Sequence, residues 1–353
     1  MPRWMWPLLV AGGLALAARL LGGAAFLVFV LAALGLIPLA ALIGRATEDL
    51  AYHVGPRLGG LLNATFGNAA ELIIAGLALR EGLTALVKAS ITGAIIGNLL
   101  LVLGTSLLVG GWRHGIQQFD AREAGRNATM MAMALVSLLL PAVFASVAPN
   151  AVRIEAVSVA VAVVLLLVYA AYLTYILREG EPLPGAAVAP GSATSQVPWA
   201  RTPALLVLLA ATVGTVVLAE LLVQTVEAVT ATLGWSEFFV GLIIVPLVGN
   251  SAEHFGALAL AARNKMDTAL AIAAGSSTQI ALLVAPLLVL LGWGSGHWLT
   301  LVFHPLEIIA VAAAAFLFAF VSVDGETTWL EGVQLLALYA MVGAVFFFLP
   351  VTS

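Results

Sequence analysis

The chain has 353 residues, 62% of them hydrophobic and only 9% charged, where a soluble domain carries about 25% charged residues. So few charges cannot cover a water-facing surface, and with a mean hydropathy of +1.11 lipid must be the solvent. A net charge of −4 without clustered Lys and Arg argues against a nucleic-acid partner, and the absence of cysteine excludes disulfides and thiolate metal sites.

Eleven apolar segments lie near the ~20-residue length that spans a bilayer: 5–21, 24–43, 58–79, 89–109, 128–147, 157–176, 204–226, 238–262, 269–291, 299–321 and 329–351. The runs are too long for barrel strands and period 2 is nowhere sustained, so they read as helices. The first run, with Arg3 before it, has the outline of a signal peptide. No clear A-x-A site follows, and Arg19 and Gly22-Gly23 lead into another apolar run, so it is read as a retained span. With the N-terminus inside, ten of the 14 Lys and Arg residues fall in inside segments. Only Arg19, Arg80, Lys88 and Arg153 fall outside, which sets the N-terminus in the cytoplasm and, with eleven spans, the C-terminus outside. The inner membrane of a prokaryotic cell is the expected location.

Residues 178–203, rich in Pro, Gly, Ala and Ser, have the composition of a flexible linker. The expected organisation is an extra N-terminal helix (1–22), a five-helix repeat (23–177), a cytoplasmic linker (178–203) and a second five-helix repeat (204–353). The halves are related in sequence. A shift of 182 lays Gly67–Trp112 against Gly249–Trp293 with one gap, and ATEDLA at 46–51 resembles TVEAVT at 225–230. The related spans are the third and the eighth, five crossings apart, so they run in opposite senses. The expected fold is thus an all-α integral membrane protein of two inverted repeats, an arrangement that places substrate near the midplane.

The chemistry concentrates in FGNAAELI at 66–73 and VGNSAEHF at 248–255. Each sets Glu71 or Glu253 deep in an apolar run, where a carboxylate is costly and marks an ion or substrate pathway. One such Glu has a ready structural explanation, satisfied between helices; two in matching motifs do not. Two carboxylates balance a divalent cation, and calcium takes 6–8 oxygens in a flexible site. Gly67 and Gly249 lower helix propensity and Pro246 removes a helix bond, so an opened helix can turn carbonyls toward a cavity. Asn68 and Asn250 add amide oxygens, although Gly and Asn also serve close helix packing. Asn98, Ser276 and Gln279 lie in the following spans, within GAIIGN and GSSTQ. Ser276 and Gln279 share a helix face. His254 either bonds as a packing residue or assists proton transfer beside Glu253. Glu220 is a weaker candidate for proton transfer. Glu48, Asp49 and Glu227 read as interfacial, and His304 with Glu307 and Glu331 with Gln334 as interfacial or structural.

FGNAAELI, VGNSAEH and GSSTQIAL resemble the paired signature regions of the calcium/proton exchanger family, within the calcium/cation antiporter superfamily. The resemblance covers nearly the whole chain. It implies that Glu71 and Glu253 carry cation and protons, with Asn68, Asn250, Ser276 and Gln279 completing the site. The chain departs from the family in two places. Ala94 and Gly97 stand where relatives often have serines, and the linker holds only Glu179 and Glu181 in place of a longer acidic stretch.

These readings imply a secondary antiporter exchanging a divalent cation, Ca2+ first, for protons by alternating access. Empty and doubly ionised, the pair is expensive to occlude, whereas one divalent cation or two protons neutralise it. The pair titrates jointly. The alternatives are a sodium-coupled or Mn2+ exchanger and, further off, a channel with a carboxylate ring. An intramembrane metalloprotease lacks its H-E-x-x-H pattern, so no enzyme is expected. No cofactor is expected beyond the transported ions. The expected partners are the lipid bilayer, the divalent cation and protons, with a homo-oligomer left open.

Overall fold

A computed structural model describes residues 3–55, 59, 62, 65–179 and 198–349. Twelve helices are described: α1 (Met5–Leu20), α2 (Ala25–Val54), α3 (Ala69–Arg80), α4 (Thr84–His114), α5 (Ala121–Val147), α6 (Ala151–Glu179), α7 (Arg201–Leu233), α8 (Glu237–Gly249), α9 (Ser251–Ala261), α10 (Met266–Ser295), α11 (Pro305–Val321) and α12 (Trp329–Phe347). Gln117–Gln118 pairs antiparallel with Glu326–Thr327. Seven helices, α2, α4, α5, α6, α7, α10 and α12, are long and apolar enough to cross a membrane, or eight spans if α8 and α9, bent at Asn250, count as one. Helices α1 and α11 are shorter and apolar. The expected span at 58–79 and the linker at 178–203 lie partly outside the described residues.

The chain divides into two compact units. The first holds residues 1–93, 194–252 and 343–353. Its framework is α2 packed along α7, with α1 against both. The crossing is close because it is made of glycines: a Cβ on Gly35 would lie 2.5 Å from the Gly12 Cα and 2.7 Å from Leu218 Cδ1. Helix α2 runs eleven residues past its expected end at 43, because Ala, Glu and Leu in RATEDLAYHV favour helix and carry it beyond the apolar run. The last turns of α2 meet the residues at the start of α7. His53 Nε2 donates to the Trp199 carbonyl (2.7 Å), Arg201 to the His53 carbonyl (3.1 Å), and the Arg45 guanidinium stacks 4.3 Å from the Trp199 ring.

The second unit holds residues 94–193 and 253–342. Here α10 packs on α5, α6 on α10, and α11 on α5. The later turns of α4 lie against α12 through Gly104, Gly111 and Gly332; a Cβ on Gly332 would meet the Leu108 backbone nitrogen and, at 2.7 Å, the Gly104 carbonyl. Helix ends are capped by polar residues. Asp120 accepts from the Arg122 (2.7 Å) and Glu123 (3.1 Å) N–H groups at the start of α5, and the bonds from Glu123 and Arg122 hold its carboxyl below the usual range. His304 and Glu307 form a capping box on α11, and Glu331 accepts from Thr327 and Thr328 at α12. Glu307 and Glu331 are structural here, in line with their places near the starts of the last two apolar runs.

Candidate cation site

In the first unit, each signature region breaks the helical path at its asparagine. Asn68 has φ −103°, ψ 26° and Asn250 has φ −83°, ψ 15°, both in the bridge region, and a new helix starts one residue later. That puts each glutamate three residues on, in the first turn of α3 or α9. First-turn N–H groups lack intrahelical acceptors and carry the positive end of the helix dipole, which favours a carboxylate there. The irregular turn ahead of the second motif has a visible cause. Pro246 has no N–H for the carbonyls of Leu242 or Gly241, and the stretch before it, Val240–Ile244, is wound as a π-helix.

The first unit also brings part of the two motifs together. The Glu71 carboxylate lies on the Gly249 backbone, so that a Cβ there would be 3.3 Å from Glu71 Oε1. Glu71 is 8% exposed, Asn68 2% and Asn250 0%. Neither amide atom of Asn250 has a hydrogen-bond partner among the described residues. A buried amide left so costs about 1–3 kcal/mol and calls for an unmet ligand, ion or water. Gly249 supplies closeness, Glu71 charge, and Asn250 an uncommitted oxygen.

The second unit holds Glu253, His254, Asn98, Ser276 and Gln279. Asn98 Nδ2 donates to Ser276 Oγ at 2.9 Å, while its Oδ1 is buried without a partner among the described residues. Ser277 and Thr278 bond back to the Ala273 and Ala274 carbonyls, both at 2.9 Å, so Ser276 alone of the three is turned to the neighbouring helix in these bonds. Glu253 and His254 are half-buried, and His254 Nε2 has no hydrogen-bond partner among the described residues. Glu220, in the first unit, forms an exposed ion pair with Arg80 at 2.9 Å. No group of three or more His, Cys, Asp or Glu side chains among the described residues is placed to hold a metal.

The π-helical turns were not foreseen. Two more follow the pattern of the sequence shift: Gly97–Val102 contains Asn98, and Ile280–Val284 begins just after Gln279. Pro286 signals the second as Pro246 signals Val240–Ile244; nothing in the residues around Asn98 signals the first.

A family model described as sodium/calcium exchanger protein matches residues 24–178 and 203–348. A Ca(2+)/H(+) antiporter of Aphanothece halophytica is 44% identical over 340 residues, 92% of this chain and 91% of its own length. The Ca(2+)/H(+) antiporter ChaA of Bacillus subtilis is 43% identical over 317 residues, 89% of this chain and 90% of its own. Among solved structures, native YfkE superposes with a TM-score of 0.86 at 39% identity, covering 98% of this chain and 100% of that one. The H+/Ca2+ exchanger CAX, at 16% identity and a TM-score of 0.73 over 98% of this chain and 92% of that one, shares the fold.

Proposed function

Because this chain belongs to the sodium/calcium exchanger protein family, we propose that it is a secondary antiporter exchanging Ca2+ for protons across a membrane by alternating access. The observation that carries the reading is the buried Glu71 carboxylate on the Gly249 backbone, beside an Asn250 amide with no hydrogen-bond partner among the described residues. Relatives named Ca(2+)/H(+) antiporter at 43–44% identity over about nine-tenths of the chain support the choice of ions.

Glu71 and Glu253 are the cation and proton carriers. Asn68, Asn250, Asn98, Ser276 and Gln279 supply neutral oxygens or hold those that do, and His254 is the further candidate for proton transfer. Glu220 remains a weaker candidate for proton transfer, and its ion pair with Arg80 at 2.9 Å supports a role in holding α3 on α7. Eleven spans in two inverted five-helix repeats, with an extra first helix, remain the architecture we propose. Support comes from the two separate family matches at 24–178 and 203–348, either side of the linker, and from the like backbone breaks at Asn68 and Asn250. The Lys and Arg bias supports an inner-membrane protein with its N-terminus in the cytoplasm and its C-terminus outside.

Coupling follows from charge. One divalent cation or two protons neutralise two carboxylates, and either form can be occluded at low cost, while the empty ionised form cannot. The test is calcium uptake into proteoliposomes under an imposed pH gradient, with a sodium gradient as comparison. Glu71→Gln and Glu253→Gln keep shape and one oxygen but lose charge and proton, and each should abolish uptake in a protein that still elutes as folded. Uptake driven by sodium alone, or near-normal uptake by either variant, would sink the reading.

A further inference from the structure

Within the first unit, α4 crosses α8 with almost nothing between the two backbones. A Cβ on Gly93 would press into the Leu242 main chain: onto its carbonyl oxygen, 2.5 Å from its Cα and 2.7 Å from its carbonyl carbon. A Cβ on Gly241 would lie 2.7 Å from the Ala89 Cβ and 2.8 Å from the Leu86 carbonyl oxygen. Non-bonded carbon atoms settle at about 3.5–4.0 Å, so a methyl at 93 must push the helices apart by roughly 1 Å. No side-chain rotation relieves it, because the atoms in the way are backbone.

The place of this contact matters. Leu242 lies inside the π-helical turn Val240–Ile244, and Pro246, four residues on, cannot donate to its carbonyl. Gly93 faces that carbonyl, at the point where α8 departs from the regular ladder. Two turns further along, the same helix ends at Gly249, against Glu71, and at Asn250. We propose that Gly93 is a positioning residue for cation binding: its missing side chain lets α4 receive the Leu242 carbonyl, which fixes the wound-out turn of α8 and so the height at which Gly249 and Asn250 meet Glu71. Gly93 touches no ion; it acts through α8. The inference rests on the Ca2+/proton reading of the site.

The experiment compares wild type with Gly93→Ala, Pro246→Ala and a control, Gly76→Ala, whose added Cβ meets nothing within 4 Å. Pro246→Ala restores an N–H able to draw the Leu242 carbonyl back into the ladder without adding bulk. Each is reconstituted, and KM for Ca2+ and maximal rate are measured under a pH gradient, with elution profile and thermal melting as checks of folding. Displacements near 1 Å can change function on the order of 100-fold, so a rise in KM of roughly 10–100-fold is expected for Gly93→Ala and Pro246→Ala, with the maximal rate less affected and Gly76→Ala like wild type. A KM within twofold of wild type in folded Gly93→Ala overturns the inference. If that variant does not fold, a KM within twofold of wild type in Pro246→Ala overturns it. Wild-type vesicles that take up no calcium under the pH gradient would remove the exchange reading itself.

Discussion

Asn250→Ala separates a ligand from a packing residue by the sign of its effect. The amide is fully buried and neither polar atom has a hydrogen-bond partner among the described residues, so removing it relieves about 1–3 kcal/mol of desolvation. Against this stands a cavity of roughly 30 Å3, costing about 0.7 kcal/mol at ~24 cal/mol per Å3. Without calcium the variant should therefore be as stable as wild type or up to about 2 kcal/mol more stable. With calcium the order reverses. At 100 times the dissociation constant wild type gains about 2.7 kcal/mol, whereas a variant binding 100-fold more weakly gains only about 0.4 kcal/mol at the same concentration. Thermal melting of the detergent-purified protein at pH 8, with and without Ca2+, reads both quantities. A variant that melts well below wild type without calcium, yet keeps the full calcium-induced shift, would refute the assignment and make Asn250 a structural residue.

Asn98→Ala and Ser276→Ala break the same 2.9 Å bond, so their effects on calcium KM should be non-additive. A double-mutant cycle with a coupling energy near zero would show that the bond does not serve the site. Glu220→Gln breaks an exposed pair that solvent screens, so exchange should persist near the wild-type rate; loss of exchange would place Glu220 in the proton pathway. Asp120→Ala removes a cap of about 1 kcal/mol. Because the Asp120 carboxyl is held below its usual range, its contribution is complete above the unfolded value of about 3.9 and lost as pH falls through the folded one. The melting difference between wild type and Asp120→Ala should thus be present at pH 7 and shrink toward pH 3; a constant difference would show that its charge plays no part.

The apolar runs disclosed most of the helices because lipid demands long, uncharged, self-bonded segments, and Glu71 and Glu253 stood out because that same demand makes them costly. Glu307 and Glu331, read as interfacial or structural from their place at run starts, cap α11 and α12. Hydropathy could not show that the run at 238–262 is two helices broken at Asn250, since Gly249 and Asn250 interrupt it too briefly to lower the average; Pro246 was the cue. The pairing of Arg80 with Glu220, 140 residues apart, is a tertiary fact without local signal. So is the approach of Gly93 to Leu242, where a glycine of GAIIGN meets a carbonyl that its own helix does not hold in the regular way.

The break at Asn250 also explains why such a site needs both a broken helix and an asparagine. Where α8 stops, its last-turn carbonyls form the negative end of a helix dipole; where α9 starts, its N–H groups form a positive one. A cation is drawn to the first and a carboxylate to the second, so the break offers the two charges separate places along one backbone path. A continuous helix would cancel both ends. Asparagine suits the join because its short polar side chain tolerates backbone conformations outside the regular helix and brings an oxygen that no proton can neutralise at ordinary pH. On the proposed reading the amide stays a ligand in every protonation state, and the carboxylates alone switch exchange. On this reasoning Asn250→Asp, which adds a third titratable oxygen group to the site, should couple cation binding to an additional proton and steepen the pH dependence of calcium KM. An unchanged slope would place the Asn250 side chain outside the cation's reach.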